Sequence, residues 1–99
     1  MTTQFNDLMI DTETAGLPPT GALLSLGACF FDLKTQTMGR TFLRTVHLAT
    51  SVRDGGTIDP STFLWWLGQS DEARKGVRFG GQDIRKVLQD FSDWIKETC

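Results

Sequence analysis

The stretch Asp7-Leu8-Met9-Ile10-Asp11-Thr12-Glu13-Thr14-Ala15-Gly16 decides how the rest of this chain is read. Residues 7–12 are a short apolar run ending in an acid, with the length and flanks of a buried strand. Residues two apart in an extended segment project to one side, so Asp11 and Glu13 converge while Thr12 faces away. Two carboxylates held together repel unless a cation sits between them. Hard oxygen donors of this kind suit Mg²⁺ or Mn²⁺. Two such ions about 4 Å apart clamp the attacking water and the leaving oxygen of a phosphodiester. By itself the three-residue pattern is more commonly a solvated strand end, or a turn built on Asp and Thr side chains.

Working outward, residues 15–21 (AGLPPTG) hold Gly16, Gly21, Pro18 and Pro19 and read as a loop. Residues 22–32 (ALLSLGACFFD) form a long apolar run with Ser25, Gly27 and Ala28 in its middle. That composition disfavours a helix and predicts a strand covered on both faces, with Gly27 permitting a close approach or a bulge. Residues 33–38 are polar and fit a connection. The β-branched and aromatic content from Gly39 to Leu48 predicts a third strand. Three consecutive strands joined by short turns make an antiparallel meander the simplest topology. Residues 49–57 (ATSVRDGGT) read as a loop. Asp59-Pro60 is an N-cap followed by proline at the first helical position, which predicts a helix over 60–67 ending at Gly68. Ser70-Asp71-Glu72 is a second cap with acids in the first turn, opening a helix over 70–76. Gly76, Gly80 and Gly81 then break the chain. Ile84, Val87, Leu88, Phe91 and Ile95 fall at i, i+3, i+4, i+7 and i+11, one face of a helix over 82–97. Lys86, Gln89, Asp93 and Lys96 lie away from that stripe.

Ninety-nine residues without repeats, low-complexity tracts or linkers make one domain, 1–99, of α/β class. Hydrophobic residues at 39% and charged residues at 22% exclude a disordered chain. The net charge of −2 lacks the basic footprint of a protein that grips nucleic acid by charge alone. A nuclease that holds phosphates through metal ions need not be basic overall. Cys29 lies in an apolar run and Cys99 ends the chain, neither with a His or Cys at metal spacing. Their simplest reading is a buried small hydrophobe and a terminal thiol. The N-terminus MTTQFNDLMID lacks the features of a signal peptide, and no stretch approaches the ~20 apolar residues of a membrane span. A cytoplasmic protein without membrane contact is expected.

The motif Leu8-Met9-Ile10-Asp11-Thr12-Glu13-Thr14-Ala15-Gly16, followed after the loop by Leu24-Ser25-Leu26-Gly27-Ala28-Cys29-Phe30-Phe31-Asp32, closely resembles the DnaQ-like (DEDD) 3′–5′ exonuclease superfamily. There a hydrophobic strand ends in D-x-E-[ST]-x-G and an I-x-x-[IL]-G strand follows. Thr62, Trp65-Trp66, Gln69-Ser70 and Glu72-Ala73-Arg74 match a narrower pattern, T-x-x-W-W-x-x-Q-S-x-E-A-R. It resembles a branch of phage and prophage exonucleases, exodeoxyribonuclease VIII-like, together with the mycobacterial 3′–5′ exoribonuclease-like domain. The resemblance runs from about Asp7 to Ile95, in three segments in the right order.

The resemblance implies a ribonuclease H-like fold and metal-dependent hydrolysis of nucleic acid from a 3′ end. It makes Asp11 and Glu13 catalytic metal ligands for Mg²⁺ or Mn²⁺. It places Thr12, Thr14, Ala15 and Gly16 in the stretch whose backbone lines the pocket for the 3′-terminal nucleotide. Ala15 stands where many relatives carry a larger residue, which puts one substrate contact in doubt. Leu17 packs on a terminal base or sugar, or is a loop leucine touching the core. Trp65 and Trp66 either stack a base or are two core aromatics. Adjacent helical residues point about 100° apart, so one as core and the other as a partly exposed wall is the preferred arrangement. The basic residues Arg74, Lys75, Arg78, Arg85 and Lys86 contact phosphates or form a solvated face, the commoner case. His47 is out of order for the family's catalytic His and reads as structural. The implied partner is single-stranded nucleic acid or a 3′ overhang.

The family uses four carboxylates and a general base, and its second and third motifs follow the helix that spans 82–97 here. Asp83, Asp90 and Asp93 sit on that helix without motif context. The expectation is therefore an incomplete ribonuclease H-like fold, truncated before the later motifs, with weak or no activity. The alternative is a non-catalytic phage or prophage remnant that binds nucleic acid or protein. A second copy covering the open sheet edge would make a homo-oligomer.

Overall fold

The computed structural model describes residues 7–78 and 81–98. The signal-peptide reading of the first six residues, the break at Gly80 and the terminal thiol of Cys99 lie outside the described residues. Three strands come first, β1 (Asp7–Thr14), β2 (Leu23–Asp32) and β3 (Thr37–Thr45). They form one antiparallel sheet in the order β1-β2-β3. Four helices follow, α1 (Leu48–Arg53), α2 (Pro60–Leu67), α3 (Asp71–Arg78) and α4 (Ile84–Thr98). This meander with flanking helices is the expected α/β arrangement and is consistent with part of a ribonuclease H-like fold. Among the described residues no helix is long and apolar enough to cross a membrane.

The alternation of β2 decides which side of the sheet is filled. Leu24, Leu26, Ala28 and Phe30 are buried, while Ser25, Gly27 and Cys29 between them are only half-buried. The strand is thus packed on one face, not on both as its composition suggested. The filled face holds Leu26, Ala28, Phe30, Phe42, Val46, Val87 and Trp94, with Leu8, Ile84, Phe91 and Ile95 packed against them. Ring contacts bind the layers, with Phe30 4.9 Å from Trp94 and Phe42 5.3 Å from Phe91 in an edge-on pair. The other face carries Leu43, which is 70% exposed. Gly27 makes no close approach, since a Cβ there would meet nothing nearer than 3.6 Å. The register shifts occur instead between Glu13 and Thr14 and between Cys29 and Phe31. Among the described residues the outer edge of β1 pairs with no strand, and Met9 and Ile10 on it are exposed.

Two expectations change in the helices. The third strand ends at Thr45, and Leu48–Arg53, expected as strand end and loop, is α1. Val46 bridges to Gln82, and the His47 N–H donates to the Gln82 carbonyl at 2.7 Å, which turns the chain away from the sheet. The new helix is fastened by tertiary bonds. The Ser51 hydroxyl donates to the Leu23 carbonyl at 2.7 Å, and Thr50 Oγ1 accepts from the Ile84 N–H at 3.0 Å. On α4, Leu88 is 49% exposed while Trp94, outside the predicted stripe, is buried. At about 100° per residue, Trp94 lies about 20° from Val87 and Leu88 about 100° from it, so the inward face is rotated toward Val87 and Trp94. The caps of α2 and α3 are as expected. The Thr62 N–H donates to Asp59 Oδ2 at 3.0 Å and the Ala73 N–H to Ser70 Oγ at 3.2 Å. Helix α3 passes through Gly76 to Arg78, where the sequence suggested a stop, because nothing crowds or bends the chain at that glycine.

Candidate active site

β1 carries Asp11 and Glu13 opposite Gly27 and Ser25 of β2. Cross-strand partners share a face, so both carboxylates lie on the face away from α4, whereas Thr12 pairs with Leu26 on the filled side. Both are exposed. Gly27 leaves the sheet beside Asp11 without a side chain. Among the described residues no third His, Cys, Asp or Glu joins the pair in a group able to hold a metal. Two hard oxygen donors on one face suit one side of a divalent cation's coordination sphere and leave its other positions to water and phosphate.

The segment after the pair is tightly fastened. The register jumps from Glu13–Ser25 to Thr14–Leu23. Beyond the jump, the Ala15 N–H donates to the Ala22 carbonyl at 2.9 Å and Thr14 Oγ1 to the Gly16 carbonyl at 2.9 Å. The Trp66 indole N–H donates to the Thr14 carbonyl at 3.0 Å, and the Asp59 N–H to the Ala15 carbonyl at 3.0 Å. Ala15 and Gly16 are buried. A Cβ on Gly16 would overlap the Thr57 carbonyl oxygen and come 2.9 Å from Gly21 Cα, so this position has room only for glycine.

The two tryptophans divide as their angular separation requires. Trp66 turns inward and is half-buried, while Trp65 is 58% exposed, its ring 5.0 Å from that of Trp66 and nearly perpendicular. Leu17 is also exposed. The structure therefore places Asp11 and Glu13 on one face of β1, joins the Thr14–Gly16 backbone to Trp66 on the filled side, and displays Leu17 and Trp65 on the surface. The sequence pointed to one tryptophan as core and the other as a partly exposed wall, without saying which, and missed the Trp66 hydrogen bond. The available signal was an inward indole, whose N–H requires an acceptor.

The basic residues do not form one patch. Arg85 donates to Asp54, Lys86 to Asp90 and Arg74 to Asp71. Arg74, Lys75 and Arg78 rim a concavity of about 650 Å³ over Leu24, Phe63 and Trp66, which neither Asp11 nor Glu13 lines. Asp83 pairs with Arg53, and Asp93 accepts from Gln89. His47 is exposed at the N-cap of α1 and makes no side-chain cap bond. Cys29 is half-buried, its thiol donating to the Phe30 carbonyl. Arg53, and then Arg85, hydrogen-bond Asp54 and hold its carboxyl down at about 2. The Arg53 bond also lowers Asp83, and the two carboxylates raise Arg53.

The model of the 3′–5′ exoribonuclease Rv2179c-like domain matches residues 6–99, nearly the whole chain. The chain belongs to this exonuclease family. It is also similar to the exodeoxyribonuclease of Enterobacteria phage T4, with 28% identity over 98 residues, covering 90% of this chain and 43% of that protein. The chain thus spans less than half the length of this curated relative. No solved structure matches it.

Proposed function

We propose that Asp11 and Glu13 hold Mg²⁺ or Mn²⁺ in a 3′–5′ exonuclease site that acts on single-stranded nucleic acid or a 3′ overhang. The observation that carries this reading is the exposure of both carboxylates on one face of β1, with residues two apart on a strand lying roughly 7 Å apart at Cα. An ion held by Asp11 and Glu13 would supply charge neutralisation for a phosphate and a lowered pKa for a bound water. The chain's own residues supply the rest. Asp11 and Glu13 provide the anionic donors, and the Thr14–Gly16 backbone walls the place of the terminal nucleotide. Leu17 and Trp65 offer exposed apolar surface for a base. Family membership supports the exonuclease class, and the chain is similar to both an exoribonuclease domain and an exodeoxyribonuclease.

Hydrolysis by a two-metal route needs more donors than this pair. These 99 residues alone are therefore expected to bind metal and to hydrolyse weakly or not at all. The same two-donor geometry supports a second reading, a module that binds nucleic acid or protein without cleaving it. A Mn²⁺ titration of wild type and Asp11→Ala, run beside digestion of 3′- and 5′-labelled oligonucleotides, separates the readings. Binding weakened on the order of tenfold or more by Asp11→Ala supports the metal site. A folded wild type that binds no Mn²⁺ leaves only the binding module. Processive Mn²⁺-dependent digestion abolished by Asp11→Ala would confirm the site and overturn the expectation of weak activity.

A further inference from the structure

Beyond the register jump between Glu13 and Thr14, Thr14 pairs with Leu23 and the Ala15 N–H bonds the Ala22 carbonyl, so the strands stay joined in a shifted register. The Thr14 and Ala15 carbonyls then need donor partners in a half-buried setting, because an unpaired buried carbonyl is costly. Both partners come from α2. Its N-cap residue, Asp59, donates its backbone N–H to the Ala15 carbonyl at 3.0 Å. Trp66, seven residues further and so on the same helix face, donates its indole N–H to the Thr14 carbonyl at 3.0 Å. The cap itself holds this helix end still, since Asp59 Oδ2 accepts from both the Thr62 N–H and the Thr62 hydroxyl. Two consecutive carbonyls directly after Glu13 are thus gripped by one rigid helix.

We infer that α2 is a brace and that Trp66 is a positioning residue, whose indole N–H sets the direction in which β1 presents Glu13, and through it the Asp11–Glu13 pair. This rests on the reading that the pair binds a divalent ion. Ligand carboxylates lose affinity when their supporting hydrogen bonds are removed, typically by about 10–100-fold. Leu64 on the same helix is 65% exposed and its apolar side chain makes no hydrogen bond, which makes it the control.

The test uses the full chain in three forms: Trp66→Phe, Leu64→Ala, and Trp66 replaced by benzothienylalanine, which substitutes sulfur for the indole N–H at nearly constant shape. Mn²⁺ affinity is expected to fall on the order of tenfold in both Trp66 forms and to stay at the wild-type value in Leu64→Ala. Hydrogen exchange is expected to show a protected Trp66 indole beside a fast Trp65 indole, and faster Ala15–Leu17 amides in both Trp66 forms. A benzothienylalanine protein with wild-type affinity and wild-type exchange would show that the ring packs without positioning, and the inference would be wrong. Absence of Mn²⁺ binding in the wild type would sink the metal reading alone. The brace would then be judged on exchange, where a Trp66 indole as fast as that of Trp65 overturns it.

Discussion

Gly16 and Gly27 both lie in the segments that carry the family resemblance, and the structure assigns them opposite sensitivities. A Cβ on Gly16 is driven into the Thr57 carbonyl, which itself accepts the Ala22 N–H at 2.8 Å. Relieving that overlap means moving backbone on both sides, because Gly21 Cα stands 2.9 Å away. Overpacking of this kind costs about 1–3 kcal/mol. Disrupting the Ala22–Thr57 bond adds about 1 kcal/mol. The reduced freedom of the unfolded chain returns about 0.4–1 kcal/mol. Gly16→Ala should therefore destabilise by roughly 2–3 kcal/mol. Gly27→Ala meets its nearest atom at 3.6 Å and should be neutral or slightly stabilising, by up to about 1 kcal/mol. Urea unfolding followed by tryptophan fluorescence reads the difference. With a slope of about 1–2 kcal/mol/M, the Gly16→Ala midpoint should fall by roughly 1–3 M. Equal midpoints for the two variants, or a Gly27→Ala protein as damaged as Gly16→Ala, would refute the reasoning.

Three further outcomes follow from the packing and the charges. Trp94→Ala removes the ring that touches Phe30, Phe42 and Phe91 and should cost about 3–5 kcal/mol, enough to abolish a cooperative melt by circular dichroism, whereas Trp94→Phe should retain one. Asp59→Ala should cost about 1 kcal/mol through loss of the α2 cap, and Asp59→Asn only a fraction of that in the same denaturation assay. Asp54 has a folded pKa of about 2 against an ordinary 3.8, so its contribution is complete above 3.8 and is lost as the pH falls toward 2. The gap in Tm between wild type and Asp54→Asn should be flat at neutral pH, close across that acid window and shrink in high salt.

How much of this was legible in the sequence depends on whether a segment is organised locally or from afar. Asp59-Pro60 and Ser70-Asp71-Glu72 carry their capping chemistry within four residues, and α2 begins and ends where the sequence placed it. The meander was legible because three β-rich runs are separated by short turns. Helix α1 was not. Thr50 and Val52 are β-branched, its N-cap His47 makes no side-chain bond, and its support comes from Leu23 and Ile84, distant in the chain. The rotation of α4 escaped for a related reason. Leu88 and Trp94 are both apolar, and only the shape of the surface formed by Phe30 and Phe42 selects the larger ring. At the candidate site, the shared face of Asp11 and Glu13 follows from strand geometry alone. The grip of α2 on Thr14 and Ala15 joins residues 44 and 52 positions apart, and no local pattern announces it.

Among the described residues the outer edge of β1 is unpaired, which gives the two carboxylates a second physical effect. A free strand edge bearing exposed Met9 and Ile10 is a template for association with other chains, and charges on such an edge oppose it. Asp11 and Glu13 place two like charges there. Replacing either by alanine removes a proposed metal donor and also part of the charge that opposes association at this edge. Loss of function in Asp11→Ala is therefore interpretable only when light scattering shows the variant as monodisperse as the wild type. For the same reason, divalent cations that neutralise the pair should make the protein more prone to self-association as their concentration rises.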